Sequence, residues 1–130
     1  MYERSKQMYG IFVNENGGVP YAQAIVQGYK PIETRSRNML KSLVGERVAI
    51  IRTKRGKKPT IVGYADISRW EYCPCTLFEM YRDLTLIPPG SAYDIKGRGK
   101  YFYLMENAEE CEPYELPSDA IRHGRSYAEF

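Results

Sequence analysis

The stretch Gly28-Tyr29-Lys30-Pro31-Ile32-Glu33-Thr34-Arg35-Ser36-Arg37 constrains this chain more than any other. It sets a glycine break, an ammonium, a carboxylate and two guanidinium groups between a helix-like run and a strand-like run. A connector needs Gly, Asn, Ser or Pro for its geometry. Lys, Glu and two Arg at one junction require another reason. Two readings stand side by side. One is a solvated charged turn with a Glu–Arg pair, which contributes little to stability. The other is a pocket for a polyanion or a nucleobase.

If Lys30 opens an extended segment, side chains alternate along it. Glu33 and Arg35 then share one face, while Ile32 and Thr34 take the other, with Ile32 toward the core. Lys30 lies at the turn, where its long stem can swing to either side. Glu33 is placed to orient Arg35 or to hold Lys30. A paired arginine keeps free N–H donors, which suit a phosphate or a base edge.

The distribution of charge favours the second reading. The net charge of +3 hides an asymmetry: from Lys30 to Lys58 ten Lys/Arg face only Glu33 and Glu46, a local +8. Glu106, Glu109, Glu110, Glu112, Glu115 and Asp119 form an acidic stretch with no intervening base. A dipolar surface follows, with its basic side suited to phosphates. The same asymmetry permits self-association, basic middle to acidic tail, or docking of the basic face on an acidic protein.

At 130 residues the chain reads as one domain, 1–130, large enough to bury about two-thirds of its unfolded surface. No apolar run reaches the roughly 18 residues of a membrane span, and Met1–Lys6 lacks the apolar core of a signal peptide. No membrane partner and a cytoplasmic location are the expectation. Three cysteines cannot all pair within one chain, and Cys73-Pro74-Cys75 has neither zinc nor redox spacing. With one histidine, His123, no metal-ligand set emerges, and no cofactor motif is present.

Apolar patterning predicts a first strand over Gln7–Asn14 and a helix from Pro20 to Gln27 that stops at Gly28. A short helix or turn follows over Asn38–Val44. Arg47–Thr53 and Thr60–Ile67 read as a β-hairpin with the cationic tip Lys54-Arg55-Gly56-Lys57-Lys58. Trp70–Cys75 reads as irregular. Thr76–Leu84 reads as a helix capped by Thr76 with Glu79 completing a capping box, and with Leu77, Met80, Tyr81 and Leu84 on its inner face. Lys100–Met105 reads as a strand and Cys111–Leu116 as the last one, while the tail 124–130 has no clear assignment. Strands that are short and flanked by Gly or Pro, with two helices among them, predict an α+β domain with a mixed, curved sheet that closes into a small barrel.

In that order of elements, Gly28-x-Lys30-x-x-Glu33-x-Arg35 resembles the G-x-K-x-x-E-x-R signature of the ASCH family, a branch of the PUA-like superfold. Val62-Gly63-Tyr64-Ala65-Asp66-Ile67 resembles the family's third strand, and Tyr101-Phe102-Tyr103-Leu104 with the proline-containing segment after it fits as well. The resemblance extends from Met8 to Pro117. It implies a small β-barrel with flanking helices and a cleft for RNA or a nucleotide, lined by Lys30, Glu33 and Arg35, with Arg37 nearby and Asp66 on the adjacent strand. An enzymatic branch resembling this family deacylates an N4-acylated cytidine nucleoside with a lysine, a threonine three residues on and a distant glutamate. Here Lys30 matches, Glu33 stands at the threonine position, Thr34 follows it, and Asp66 would supply the carboxylate. A hydrolase or ribonuclease using Lys30, Thr34 and Asp66 is therefore the alternative to a binding domain.

Stacking faces are the other ingredient of nucleobase recognition. Among the twelve tyrosines and the single tryptophan, Tyr29 flanks the motif and Trp70 follows the third strand. Lys54, Arg55, Lys57 and Lys58 are suited to phosphate-backbone contacts, which add affinity without reading sequence. Gly97-Arg98-Gly99-Lys100 is a further basic turn with the flexibility to approach an anion.

Overall fold

The computed structural model describes residues 8–130; Met1–Lys6 and the expected strand start at Gln7 lie outside the described residues. Seven strands and two short helices follow in the order β1 (Tyr9–Asn14), α1 (Tyr21–Val26), β2 (Ile32–Arg35), β3 (Arg47–Thr53), β4 (Thr60–Cys73), α2 (Arg82–Thr85), β5 (Lys100–Glu115), β6 (Ile121–His123) and β7 (Tyr127–Glu129). They form one sheet ordered β2-β5-β4-β3-β1-β7-β6. β1 runs parallel to β3 and every other pair is antiparallel, so the sheet is mixed, as expected.

The hydrogen-bonded ladder is not closed into a barrel. β2 and β6 are its end strands. A side chain spans the gap instead: the Arg35 guanidinium on β2 donates to the Phe12 carbonyl of β1 at 2.7 Å.

One face of the sheet carries the main core. Ile11, Val13, Ile25, Ile32, Val48, Ile50, Ile67, Phe78 and Tyr103 are all buried there. Helix α1 closes that face, its residues Tyr21, Ala22, Ala24, Ile25 and Val26 all buried. The Glu15 carboxylate, itself buried, accepts hydrogen bonds from the Ala22 and Gln23 amides at 2.9 and 3.2 Å. These first-turn donors have no partner inside the helix, so a carboxylate from the preceding loop serves as the cap. Gly28, at φ +84°, ends α1 in the left-handed conformation that only glycine adopts without strain.

Gly63 shows why the middle of β4 needs a residue without a side chain. A Cβ there would lie 2.2 Å from the Glu109 carbonyl and 2.6 Å from Val26 of α1. The register against β5 shifts beside it, between Ile61 and Gly63. The helix and the neighbouring strand thus approach the backbone directly at this point.

Three expectations give way to the tertiary structure. Trp70–Cys73 is strand, because Trp70, Glu71, Tyr72 and Cys73 continue the pairing with Tyr103, Phe102, Tyr101 and Lys100. Lys100–Met105 and the expected last strand Cys111–Leu116, short of Leu116 itself, belong to one 16-residue strand, β5, which bends at register shifts and at Asn107, with φ +52°, rather than ending. The segment after Pro74 is a 3-10 turn over Cys75–Tyr81 followed by the single α-turn of α2, with no side-chain cap from Thr76. Glu79 pairs with Arg82 at 2.5 Å. Phe78 is the buried residue of that turn, while Leu77, Met80 and Leu84 face outward. A 3-10 repeat of three residues per turn rotates the apolar set away from the face an α-helix would give it. The unassigned tail 124–130 supplies the turn and β7 of a hairpin with β6, and β7 joins the sheet beside β1.

Gly63→Ala is expected to destabilise the protein by about 1–3 kcal/mol, since the methyl overlaps main chain that cannot move aside independently. Urea unfolding checks this. A stability within error of the wild type would show that α1 and β5 yield at this contact.

Candidate functional site

A cleft of about 500 Å³ opens between the start of β2, the end of β1, the segment before β5 and the β6–β7 hairpin. Lys30, Glu33, Thr34 and Arg35 all line it. Their positions follow from the end of α1. Gly28 turns the chain, the Tyr29 and Lys30 amides bond back to the Ala24 carbonyl, and Pro31 precedes the four residues of β2. β2 lies against β5 with Glu33 opposite Tyr103 and Arg35 opposite Tyr101.

Lys30 is 1% exposed. Its ammonium donates to the Ile32 carbonyl at 2.8 Å and to the Thr85 carbonyl, lies 3.6 Å from Glu33 Oε1 and sits 5.0 Å from the centre of the Tyr21 ring. Burial pushes the Lys30 pKa below its ordinary value, and the Glu33 carboxylate opposes that shift. Two carbonyls and a carboxylate can only accept. A neutral amine would spend both hydrogens on the carbonyls and turn its lone pair toward the carboxylate, so this arrangement selects the ammonium.

The other Glu33 oxygen accepts from Arg35 at 2.9 Å, and the same Arg35 nitrogen reaches the Phe12 carbonyl. Lys30, Glu33 and Arg35 thus form one continuous chain of charge-assisted bonds from α2 to β1. Thr34 lines the cleft but is not among the partners of the Lys30 ammonium.

The remaining sequence candidates do not converge here. Asp66 lies outside the cleft, held by Arg47 at 3.0 Å and by the Asn107 side-chain amide at 2.8 Å, two donors that keep its carboxyl below the usual range. Arg47 also pairs with Glu109, so part of the acidic stretch is spent neutralising its neighbours on β3. Tyr29 is exposed and does not line the cleft. Trp70 packs half-buried against Tyr101, with the Lys41 ammonium 6.0 Å from its ring. Arg37 is exposed and does not line the cleft, and Lys54, Arg55, Lys57 and Lys58 are exposed on the β3–β4 loop.

Sequence reasoning missed the other half of the lining. Lys100 contributes from the start of β5, Arg122 and Arg125 from the β6–β7 hairpin, and Tyr93 from the connector before β5. Tyr93 lies edge-on to Tyr21 at 5.8 Å. Asp94 fixes that connector by accepting from the Gly90 and Ile95 amides, each at 2.7 Å, and from Arg82 at 2.8 Å. A basic turn at Gly97–Lys100 was visible in the sequence; that it faces the motif was not. With these residues the cleft is lined by five cations, Lys30, Arg35, Lys100, Arg122 and Arg125, against the one carboxylate of Glu33.

An open α+β sheet with a cationic cleft at the α1–β2 junction defines the class of this protein. No family model and no curated protein matches its sequence. Solved structures do match its fold. The crystal structure of ASCH from Zymomonas mobilis superposes with a TM-score of 0.63 at 20% identity, covering 82% of this chain and 73% of that one. Two point mutants of the same protein, ZmASCH, match with TM-scores of 0.64 and 0.62 at 24% and 21% identity, again over 82% of this chain and over 74% and 76% of those. The chain therefore has an ASCH-like fold. No helix among the described residues is long and apolar enough to cross a membrane.

Lys30→Met and Glu33→Gln are each expected to cost about 3–5 kcal/mol, because each strands a buried partner. Combined, they should cost at least about 1 kcal/mol less than their sum. A double-mutant cycle by urea unfolding measures this coupling, and strict additivity would contradict the buried pair.

Proposed function

We propose that this protein is an RNA- or nucleotide-binding domain whose ligand enters the cleft at the Lys30–Glu33–Arg35 junction. The observation that carries the reading is the charge of that cleft, five cations against one carboxylate. A stable domain without an anionic ligand has no use for that imbalance, since like charges around a concave surface repel. Arg35 supports it further: one nitrogen is committed to Glu33 and Phe12, which leaves the guanidinium's other donors available on a residue that lines the cleft. Tyr93 offers an aromatic surface within the same space. The exposed tip Lys54–Lys58 lies outside the cleft and suits contacts along an extended backbone, beyond the nucleotide held inside.

The hydrolytic alternative asks Lys30 for a lone pair directed at Thr34 and asks Asp66 for a carboxylate. The Lys30 donors are engaged with Ile32, Thr85 and Glu33, and Asp66 is paired outside the cleft. Binding is accordingly the reading preferred.

Filter binding of a hydroxyl-ended single-stranded RNA over a salt series tests it. Affinity should fall with salt, with a log–log slope of about −0.7 per phosphate contacted. Lys57→Ala with Lys58→Ala should flatten the slope by about 1.4 if both residues contact phosphates. Arg35→Ala should weaken binding about tenfold at fixed salt, the value of one charge-assisted contact. Binding that ignores both salt and these substitutions would remove the proposal.

A further inference from the structure

The five cleft cations are not equivalent. Lys30 has its three donors engaged within the protein, and Arg35 is tied to Glu33 and to the Phe12 carbonyl. Lys100 and Arg125 have no side-chain hydrogen bond or ion pair among the described residues, and Arg122 contacts only the Phe12 ring, 5.5 Å from its guanidinium carbon. Lys100 is moreover half-buried, and burial together with the like charge of Lys96 pushes its pKa below the ordinary value, against the opposing pull of the Asp94 and Glu33 carboxylates, neither of which contacts it. A partly desolvated ammonium without a partner is costly unless something anionic meets it.

The hairpin that carries the two arginines is braced from within. Gly124, at φ +60°, makes the turn, and the Ser126 amide closes it on the His123 carbonyl at 3.2 Å. His123 stacks on Tyr127 at 4.4 Å and bonds to Glu129 at 2.6 Å. β7 pairs with β1, and the Phe12 amide donates to the Ser126 carbonyl at 3.1 Å, which fixes the hairpin beside the strand that anchors Arg35. Among the described residues, three cations without an ion pair thus face one cleft, two of them from a hairpin held against β1.

We propose, resting on the nucleotide-binding reading above, that Lys100, Arg122 and Arg125 grip a terminal phosphate, so that the ligand is a phosphomonoester-ended nucleotide or RNA end rather than an internal segment. The charge requirement selects this class. A phosphomonoester brings about −1.5 to −2 charges and three acceptor oxygens to one point. An internal phosphodiester brings one charge, and its neighbours follow along the chain rather than into a cleft. Lys30 and Glu33 then serve as positioning residues that hold the walls apart, Arg35 meets the rest of the ligand, and the three free cations bear the preference for the terminal phosphate.

The test compares three single-stranded RNAs of one sequence, ending in a 5′-phosphate, in a 3′-phosphate, or in hydroxyls at both ends, by fluorescence anisotropy at fixed salt. Wild-type protein should bind at least one phosphate-ended RNA about tenfold more tightly than the hydroxyl-ended one. Arg122→Ala, Arg125→Ala and Lys100→Met should each erase most of that preference, weakening the phosphate-ended RNA several-fold more than the hydroxyl-ended one. The two arginines are exposed, so their variants keep the fold, which circular dichroism verifies. Equal affinity for all three RNAs overturns the terminal-phosphate proposal and leaves nucleic-acid binding standing. A preference that survives all three substitutions overturns it as well. Absence of binding to any of the RNAs rejects both.

Discussion

The buried ion pair of Lys30 and Glu33, extended by Arg35, is the interaction on which the rest of this architecture hangs. It joins four places that the backbone ladder leaves unconnected: the end of α1, the carbonyl of Thr85 in α2, strand β2 and the Phe12 carbonyl of β1. Burying charge is expensive, and an isolated ammonium at this depth would not be tolerated. The chain meets that cost by giving each charged atom a fixed partner. What results is a rigid polar seam where a closed barrel would have main-chain hydrogen bonds.

A seam made of side chains leaves room that a ladder would not. Between β2 and the far end of the sheet, made by β1, β7 and β6, the ladder stays open, and the cleft forms there. The same three residues therefore hold the fold and shape the site. Arg35 is the hinge between the two tasks, because a guanidinium has more donors than its two protein partners use. The C-terminal hairpin completes the cleft from the far side, and its two arginines face the seam without being part of it.

Much of this was legible in the sequence. The strand Arg47–Thr53 is continuous in β-branched and apolar residues and is found with those bounds. Gly28 marks the end of α1 because only glycine relieves that backbone. The alternation that puts Glu33 and Arg35 on one face needs only the period of a strand. The 3-10 turn at Cys75–Tyr81 was not legible, since its side-chain pattern fits an α-helix equally well. Nor was the continuity of β5, whose bend at Asn107 reads locally as a chain end. Asp66 illustrates the limit at the level of single residues: it stands at the right place in the strand, yet Arg47 and Asn107 claim it from neighbouring strands.

Local rules acting within a few residues thus determined the motif, the helix that precedes it, the central hairpin and the strand-like spacing of the charges. Which charges meet was decided only in three dimensions. Lys30 reaches Thr85 across 55 positions and Arg35 reaches Phe12 across 23. Lys100, Arg122 and Arg125 arrive at the same cleft from the other end of the chain. Periodicity and propensity describe how a segment is shaped, but electrostatic partners are chosen by distance after the sheet has assembled. The sequence by itself therefore named a charged junction, and the tertiary structure divided it into a buried clasp and an open cationic cleft.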